Sequence, residues 1–458
     1  MMTIARKLAD YIVQTKFQEF SPGIIDQTKM CILDWLGAAL AGTKQKPVQI
    51  LLSALKESGG KPECTVMGYG WKTTCLNAAL INGTISYAVK LDQSSPRGSM
   101  IHPQPPMIPA ALAVGEWKKL GGKEFLTAVL LGFELETRVA MAVNPSHMGE
   151  RFFHTTGTCG TFGAVAAAGK LLQLNEEQMV QALGIAGTQA AGLIASAETF
   201  SRSLHAGKAA YNGVLAAMLA EKGFTGAEDI FEGKFGFCQA FANSSDLRQL
   251  THGLGREYLI SDQRFVRYVT CGAMHSAIDA VIELTKEYGI RYEDIEEIDA
   301  RTFPITLEFC GRVQEPKTFF DAQFSLPFAL AVAAIDGQVG IGQLTPKKFN
   351  DPVIMGLAKK VKASVDPEFG GLGFTGSGDL FQSAKIAIKT KEGKEYHKQV
   401  NQHKGCPQNP FSKGELLEKF QSLAVMAVPK LKVGKIIETV ENLEKLNSLE
   451  KLVELTYP

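Results

Sequence analysis

Apolar residues recur at helical spacing through more than half of the chain. In SPGIIDQTKMCILDWLGAALAG they fall at Ile25, Cys31, Ile32, Trp35, Leu36 and Leu40. Ser21 stands as N-cap, Pro22 in the first turn, and Gly42 stops the run. The opening MMTIARKLADYIVQTKFQEF mixes charges into its apolar positions every few residues, so it reads as an amphipathic helix and not as a secretion signal. Further helices are predicted at 47–58, 74–90, 105–119, 124–142, 160–173, 175–195, 205–222 and 226–232, joined by short loops containing Gly or Asn. Residues 178–197 carry no charge over a bilayer-spanning length, but three Gln and three Gly make them too polar for lipid. Helix packing through small residues accounts for them better.

The pattern changes after about residue 264. IEEIDARTFPITLEF (295–309) alternates as a strand does, and KIAIKTKEGKEYHKQV (385–400) reads as two strands around a Lys-Glu-Gly turn. Helices are expected at 275–288, 321–336 and 351–363, and again after the loop QHKGCPQNPFSK. The expected fold is therefore mostly α: a large all-helical domain from residues 1–263 and 405–458, and a smaller α+β lid domain from 264–404. The glycine-rich stretch 370–378 neither follows a strand nor opens a helix, so it reads as a mobile loop and not as a phosphate cradle.

Charge adds an exclusion. Across 458 residues, 48 Lys and Arg balance 47 Asp and Glu without a long run of one sign, which argues against nucleic acid or a membrane surface as partner. The 8 cysteines are scattered, with no CxxC pair and no spacing suited to zinc or an iron–sulfur cluster. Reduced thiols, a cytoplasmic location, no metal and no organic cofactor are the expectations that follow.

Four of the 8 histidines lie at helix starts or loop edges beside small or polar residues. His102, in KLDQSSPRGSMIHPQPPMIPAAL, precedes a helix expected to begin near Pro105 or Pro106, where an imidazole and the helix end could meet an anion. A plain turn residue would look the same. His154, in RFFHTTGTCGTFGAVAAAGKLL, precedes a Thr/Gly loop; a packed histidine is the alternative. FSRSLHAGKAAYNG spaces Arg202, His205 and Lys208 three apart, which suggests a carboxylate site or a solvated basic face. Arg267 and His275 sit near the predicted domain seam. No serine or cysteine occupies a nucleophile elbow, so histidine acid–base chemistry with cations holding carboxylates is what the residue types support.

Several segments in order resemble the 2-methylcitrate dehydratase (MmgE/PrpD) family, which includes cis-aconitate decarboxylases and an iminodisuccinate epimerase. They are SPGIIDQTKMCILDWLGAALAG, LDQSS then IHP, FFHTTGTCGTFGAVAAAGKLL, SLHAGKAA then EKGFTG, AQFSLPFALAVAAIDG and CPQNPFS. The resemblance implies a homodimer, a cleft where the two domains join, and metal-free making or quenching of a carbanion beside a carboxylate. It carries acid–base roles to His102 and His154, with Asp92 tuning one of them. Arg202, Lys208 and Arg267 would hold substrate carboxylates, joined in substrate binding by His205, His275, Ser94 and Phe328. This chain departs from the pattern in Lys90-Leu91-Asp92-Gln93-Ser94, where one carboxylate survives of the usual acidic stretch and a serine stands for a threonine. It also departs in Arg202 and Arg267, which stand for lysines, and in Phe328, which stands for a tyrosine. Arginine cannot give up a proton near neutrality, and phenylalanine has none to give. The expected function is a dehydratase-like or decarboxylase-like lyase, with an epimerase or a non-catalytic polycarboxylate-binding protein as alternatives.

Overall fold

The computed structural model describes residues 2–91, 98–371 and 382–458. Asp92, Ser94 and most of the glycine-rich stretch 370–378 lie outside the described residues. The fold is mostly α. The chain forms two compact units, one ending at Gln263 and resuming at Ser412, the other running from Arg264 to Phe411.

The first unit is built of helices whose ends follow their caps. Ser21 Oγ accepts the Ile24 N–H at the start of Pro22–Gly42, and Thr74 Oγ1 accepts the Asn77 N–H at the start of Cys75–Ser86. Gln104–Trp117, Gly122–Val143, Gly160–Leu171, Glu176–Thr188 and Ser201–Glu221 follow. The C-terminal helices Lys413–Ala424 and Lys430–Glu441 pack on Pro22–Gly42, where Lys419 Nζ lies 2.7 Å from Asp34 and donates to the Leu91 carbonyl at 3.2 Å. Two expectations are corrected. The 175–195 helix stops at Thr188. Residues 226–232 form no helix: 228–232 are turns, and Gly226 lies against Gly184 so closely that a Cβ would fall 2.5 Å from the Gln181 carbonyl oxygen. Among the described residues no helix is long and apolar enough to cross a membrane.

The second unit carries a four-stranded sheet in the order Val361–Val365, Ile295–Thr302, Ala384–Thr390, Glu395–Val400, the first pair parallel and the others antiparallel. The Lys-Glu-Gly turn forms as predicted, with Gly393 at φ 82°. Helix His275–Glu287 packs on this sheet. The strand at 295 ends at Thr302 because Pro304 opens the helix Pro304–Cys310. The 321–336 helix is two helices divided by the cap Ser325, and the second half of 351–363 is the strand Val361–Val365. Residues 405–411 go with this unit, seven residues past the boundary expected at 404: Phe265 N–H donates to the Gly405 carbonyl at 2.9 Å and the Phe265 and Phe411 rings meet at 6.0 Å.

Helices of the first unit approach through glycine. Cys75–Ser86 and Ser201–Glu221 cross where a Cβ on Gly83 would lie 2.7 Å from Gly207 Cα, and one on Gly207 would lie 2.2 Å from the Leu80 oxygen and 2.3 Å from Thr84 Oγ1. The Pro105 carbonyl meets the same crossing, 3.1 Å from the Gly83 Cβ position. Gly207→Ala should destabilise by about 1–3 kcal/mol or more, since backbone would have to move. Gly434→Ala, in an open helical position with nothing within 4 Å of the added Cβ, should stabilise by about 0.5–1 kcal/mol. Thermal or denaturant unfolding of the pair checks this; equal midpoints would show that the crossing tolerates separation.

Candidate active site

The crossing gathers three helix ends. Tyr87 caps the C-terminus of Cys75–Ser86, His102 lies two residues before Gln104–Trp117, and Arg202 and His205 occupy the first turns of Ser201–Glu221. His154 joins from the loop ahead of the one-turn helix Thr155–Thr158. That loop is fixed by pairing with the 192–194 segment: His154 N–H donates to the Gly192 carbonyl at 3.0 Å and Ile194 N–H to Phe152 at 2.9 Å. Gly192, at φ 143°, leaves room for both imidazoles; a Cβ there would lie 3.3 Å from His205 Nδ1. The two histidine loops are also tied together. His102 N–H donates to Thr156 Oγ1 at 3.1 Å, and Asn144 Nδ2 donates to the Ser99 carbonyl at 2.6 Å while lying 3.4 Å from Thr155 Oγ1.

Within this cluster Tyr87 Oη lies 3.2 Å from His154 Nε2, and His154 Nδ1 lies 3.0 Å from His205 Nδ1. The Arg202 guanidinium lies 3.9 Å from the centre of the Tyr87 ring, and the His102 ring is 5.5 Å from that ring. Burial, and then the charges of His205, Arg202, His102 and Lys90, hold the His154 imidazole far below the usual range, so it stays neutral. Burial and Arg202 also lower His205. Arg202 is only 5 % exposed, and its Nη2 finds no hydrogen-bond acceptor among the described residues. Lys90, in left-handed backbone at φ 54°, is buried nearby and adds to the field on His154.

The structure therefore brings together His102, His154, Arg202 and His205. Lys208 does not join them. It is exposed, with its ammonium 4.1 Å from the Tyr211 ring, because six residues along a helix rotate a side chain about 120° away from Arg202. Asp92 and Ser94 are outside the described residues. Arg267, His275 and Phe328 belong to the second unit. Arg267 is half-exposed, 3.9 Å from Asp279. His275 is buried edge-on between Tyr268 and His403, and Phe328 is buried with its ring against Phe349. These two form part of the second unit's packing. Sequence reading missed Tyr87, an aromatic residue at the end of an apolar helix. Among the described residues no group of three or more His, Cys, Asp or Glu gathers as metal ligands would.

A buried, cation-rich acid–base site on a helical unit suits a small anionic molecule. The MmgE/PrpD N-terminal domain matches residues 6–250 and the C-terminal domain residues 268–445, so the chain belongs to the MmgE/PrpD family. It is 24% identical to the cis-aconitate decarboxylase-like protein oryM of Aspergillus oryzae, over 99% of this chain and 97% of that protein. It is 26% identical to the cis-aconitate decarboxylase of Aspergillus terreus (94% and 91%) and 27% identical to that of Mus musculus (96% and 91%).

Beside the site, His147 is held between the Phe241 carbonyl at 3.0 Å and Thr158 Oγ1 at 2.8 Å, and burial pushes it down to about 4 from 6.5. Unfolded chains bind this proton between those values and the folded one does not. Stability should thus fall by about 3 kcal/mol as the pH drops from 6.5 through 4. Urea unfolding of wild type and His147→Gln across that window checks it: the variant should lose this part of the slope, and an unchanged slope would contradict the assignment.

Proposed function

We propose that the protein is a metal-independent lyase acting on a small tricarboxylate, with decarboxylation of a cis-aconitate-like acid as its reaction. The carrying observation is that Arg202 Nη2, inside a buried site, has no acceptor among the described residues. A desolvated guanidinium with an unmet donor is costly, and a substrate carboxylate meets that donor with a charge-assisted hydrogen bond. The decarboxylase names of the relatives given above favour this reaction among those known for the family.

The chemistry follows from the arrangement. The bond from carbon to the departing carboxylate breaks, CO2 leaves, and the electron pair stays on carbon, delocalised toward a neighbouring carboxylate. Arg202 binds a substrate carboxylate and holds the acid in place. His102, half-buried and facing the Tyr87 ring, delivers the proton that quenches the carbanion. Dehydration of a 2-methylcitrate-like hydroxy acid, a reaction that the family resemblance also implies, would ask the same histidine to protonate the leaving hydroxide. A homodimer belongs to the proposal and is checked by light scattering.

The purified protein should release CO2 from cis-aconitate, followed by NMR beside 2-methylcitrate, citrate and iminodisuccinate. Water loss from 2-methylcitrate alone would make it a dehydratase, proton exchange on iminodisuccinate an epimerase, and binding without turnover a binding protein. Activity should survive a chelator; loss restored only by a divalent metal would contradict metal independence. His102→Gln should lower kcat by roughly 10²- to 10⁴-fold with an unchanged melting temperature. Arg202→Ala should instead raise KM by roughly 10- to 100-fold, the worth of a hydrogen bond to a charged group. The reverse pattern would exchange their roles.

A further inference from the structure

We propose that Tyr87, His154 and His205 form a proton relay in which His154 conducts the proton and His205 stores it. The inference deepens the acid–base reading of this site and rests on it. His154 has two ring nitrogens, and each faces another side chain: Nε2 lies 3.2 Å from Tyr87 Oη, and Nδ1 lies 3.0 Å from His205 Nδ1. His154 therefore reaches the site through its neighbours and not with a nitrogen of its own.

The short distance between the two Nδ1 atoms fixes the proton count. Two bare nitrogens would repel, and two protonated ones would collide, so one proton lies between them. In the resting site Tyr87 O–H donates to His154 Nε2, His154 Nδ1–H donates to His205 Nδ1, and His205 carries its own proton on Nε2. When the site takes up a proton, the Tyr87 oxygen accepts it while the Tyr87 proton passes to His154 Nε2. The His154 Nδ1 proton then passes to His205 Nδ1. Three bonds to hydrogen form and three break, counting the one at the donor. The product is neutral Tyr87, neutral His154 and a His205 imidazolium. Run backward, the relay delivers a proton to the site, replacing the one that His102 gives to the carbanion.

The surroundings decide where the charge rests. His154 is 9 % exposed and is faced by Arg202 and His205 from helix Ser201–Glu221, by Lys90 from the segment after Tyr87, and by His102 from the segment before Gln104–Trp117. A charge on its ring is opposed from every side. His205 is less buried and is faced chiefly by Arg202, one turn before it on its own helix, and by the neutral His154 ring. Its titration is lowered by burial and then by Arg202, so its imidazolium gives up a proton readily.

Two arms test the relay. In the first, 15N-histidine-labelled protein without substrate is titrated by NMR. His154 should show one fixed tautomer, protonated on Nδ1 and bare on Nε2, through the range where His205 titrates, and Tyr87→Phe should disturb that tautomer. An independent His154 titration near the ordinary histidine value, or a tautomer indifferent to Tyr87→Phe, would overturn the relay. The second arm uses kinetics on cis-aconitate. Tyr87→Phe and His205→Gln should each lower kcat by about 10²-fold with little change in KM. The double variant should be no worse than either single one, since both break the same path. Turnover should fall as the pH rises through the His205 titration, below 6.5, because the imidazolium that feeds the relay is lost there, and this limb should vanish in His205→Gln. Additive losses, or a limb unchanged in His205→Gln, would overturn it. His205 is partly exposed, so His205→Gln gives a folded variant if Tyr87→Phe does not. If the wild type leaves cis-aconitate untouched, the function reading fails and the first arm alone decides the relay.

Discussion

The site depends on how closely two helices can cross. At Gly83 and Gly207 the backbones of Cys75–Ser86 and Ser201–Glu221 approach to a distance that no side chain allows, and Pro105 at the start of the next helix meets the same point. Everything chemical lies within a turn or two of this crossing. Tyr87 follows one helix, His102 precedes another, and Arg202 and His205 begin the third. Gly157 extends the principle to the fourth contributor. A Cβ there would lie 2.5 Å from the Ala191 oxygen and 3.2 Å from His205 Cβ, so the turn after His154 fits only without one. Glycine costs conformational entropy in a helix, and here that cost is offset by contacts no larger residue could make.

Close packing also desolvates charge, and the site is organised around that. Arg202 is buried over the Tyr87 ring with Nη2 lacking an acceptor among the described residues, and burial, then the charges around it, keeps His154 neutral. A neutral buried imidazole is a better proton conductor than a charged one, and an incompletely paired guanidinium is a better carboxylate receptor than a paired one. In the proposed reaction, binding and proton transfer would draw on one electrostatic arrangement. Lys419 supports it from the C-terminal helices by holding the Leu91 carbonyl and Asp34, so the end of the chain helps fix the segment that follows Tyr87.

Much of this was legible in the sequence where a local signal sets the outcome. Ser21-Pro22 and the Lys-Glu-Gly turn define their elements by cap and turn chemistry alone. His102, His154, Arg202 and His205 were legible as polar residues at helix edges. Lys208 was misread because a spacing of three keeps neighbours close but drifts over two steps. The strand Val361–Val365 alternates as VKASV but is short, mostly exposed and follows closely on the helix Pro352–Ala358, and its existence depends on pairing with Ile295–Thr302. Residues 226–232 look helical by composition, yet Gly223, Gly226, Gly233 and Gly236 surround them. Tyr87 was invisible for a deeper reason. Its hydroxyl meets His154, 67 residues further along, and only tertiary packing makes that pair.

The central claim is that buried, incompletely paired Arg202 awaits a substrate carboxylate. A crystal structure of the protein with an unreactive saturated tricarboxylate tests it most directly. The account predicts a carboxylate oxygen within hydrogen-bond distance of Arg202 Nη2, with the ligand beside His102 and the Tyr87 ring. A ligand bound elsewhere, with Arg202 Nη2 still lacking an acceptor, would contradict it.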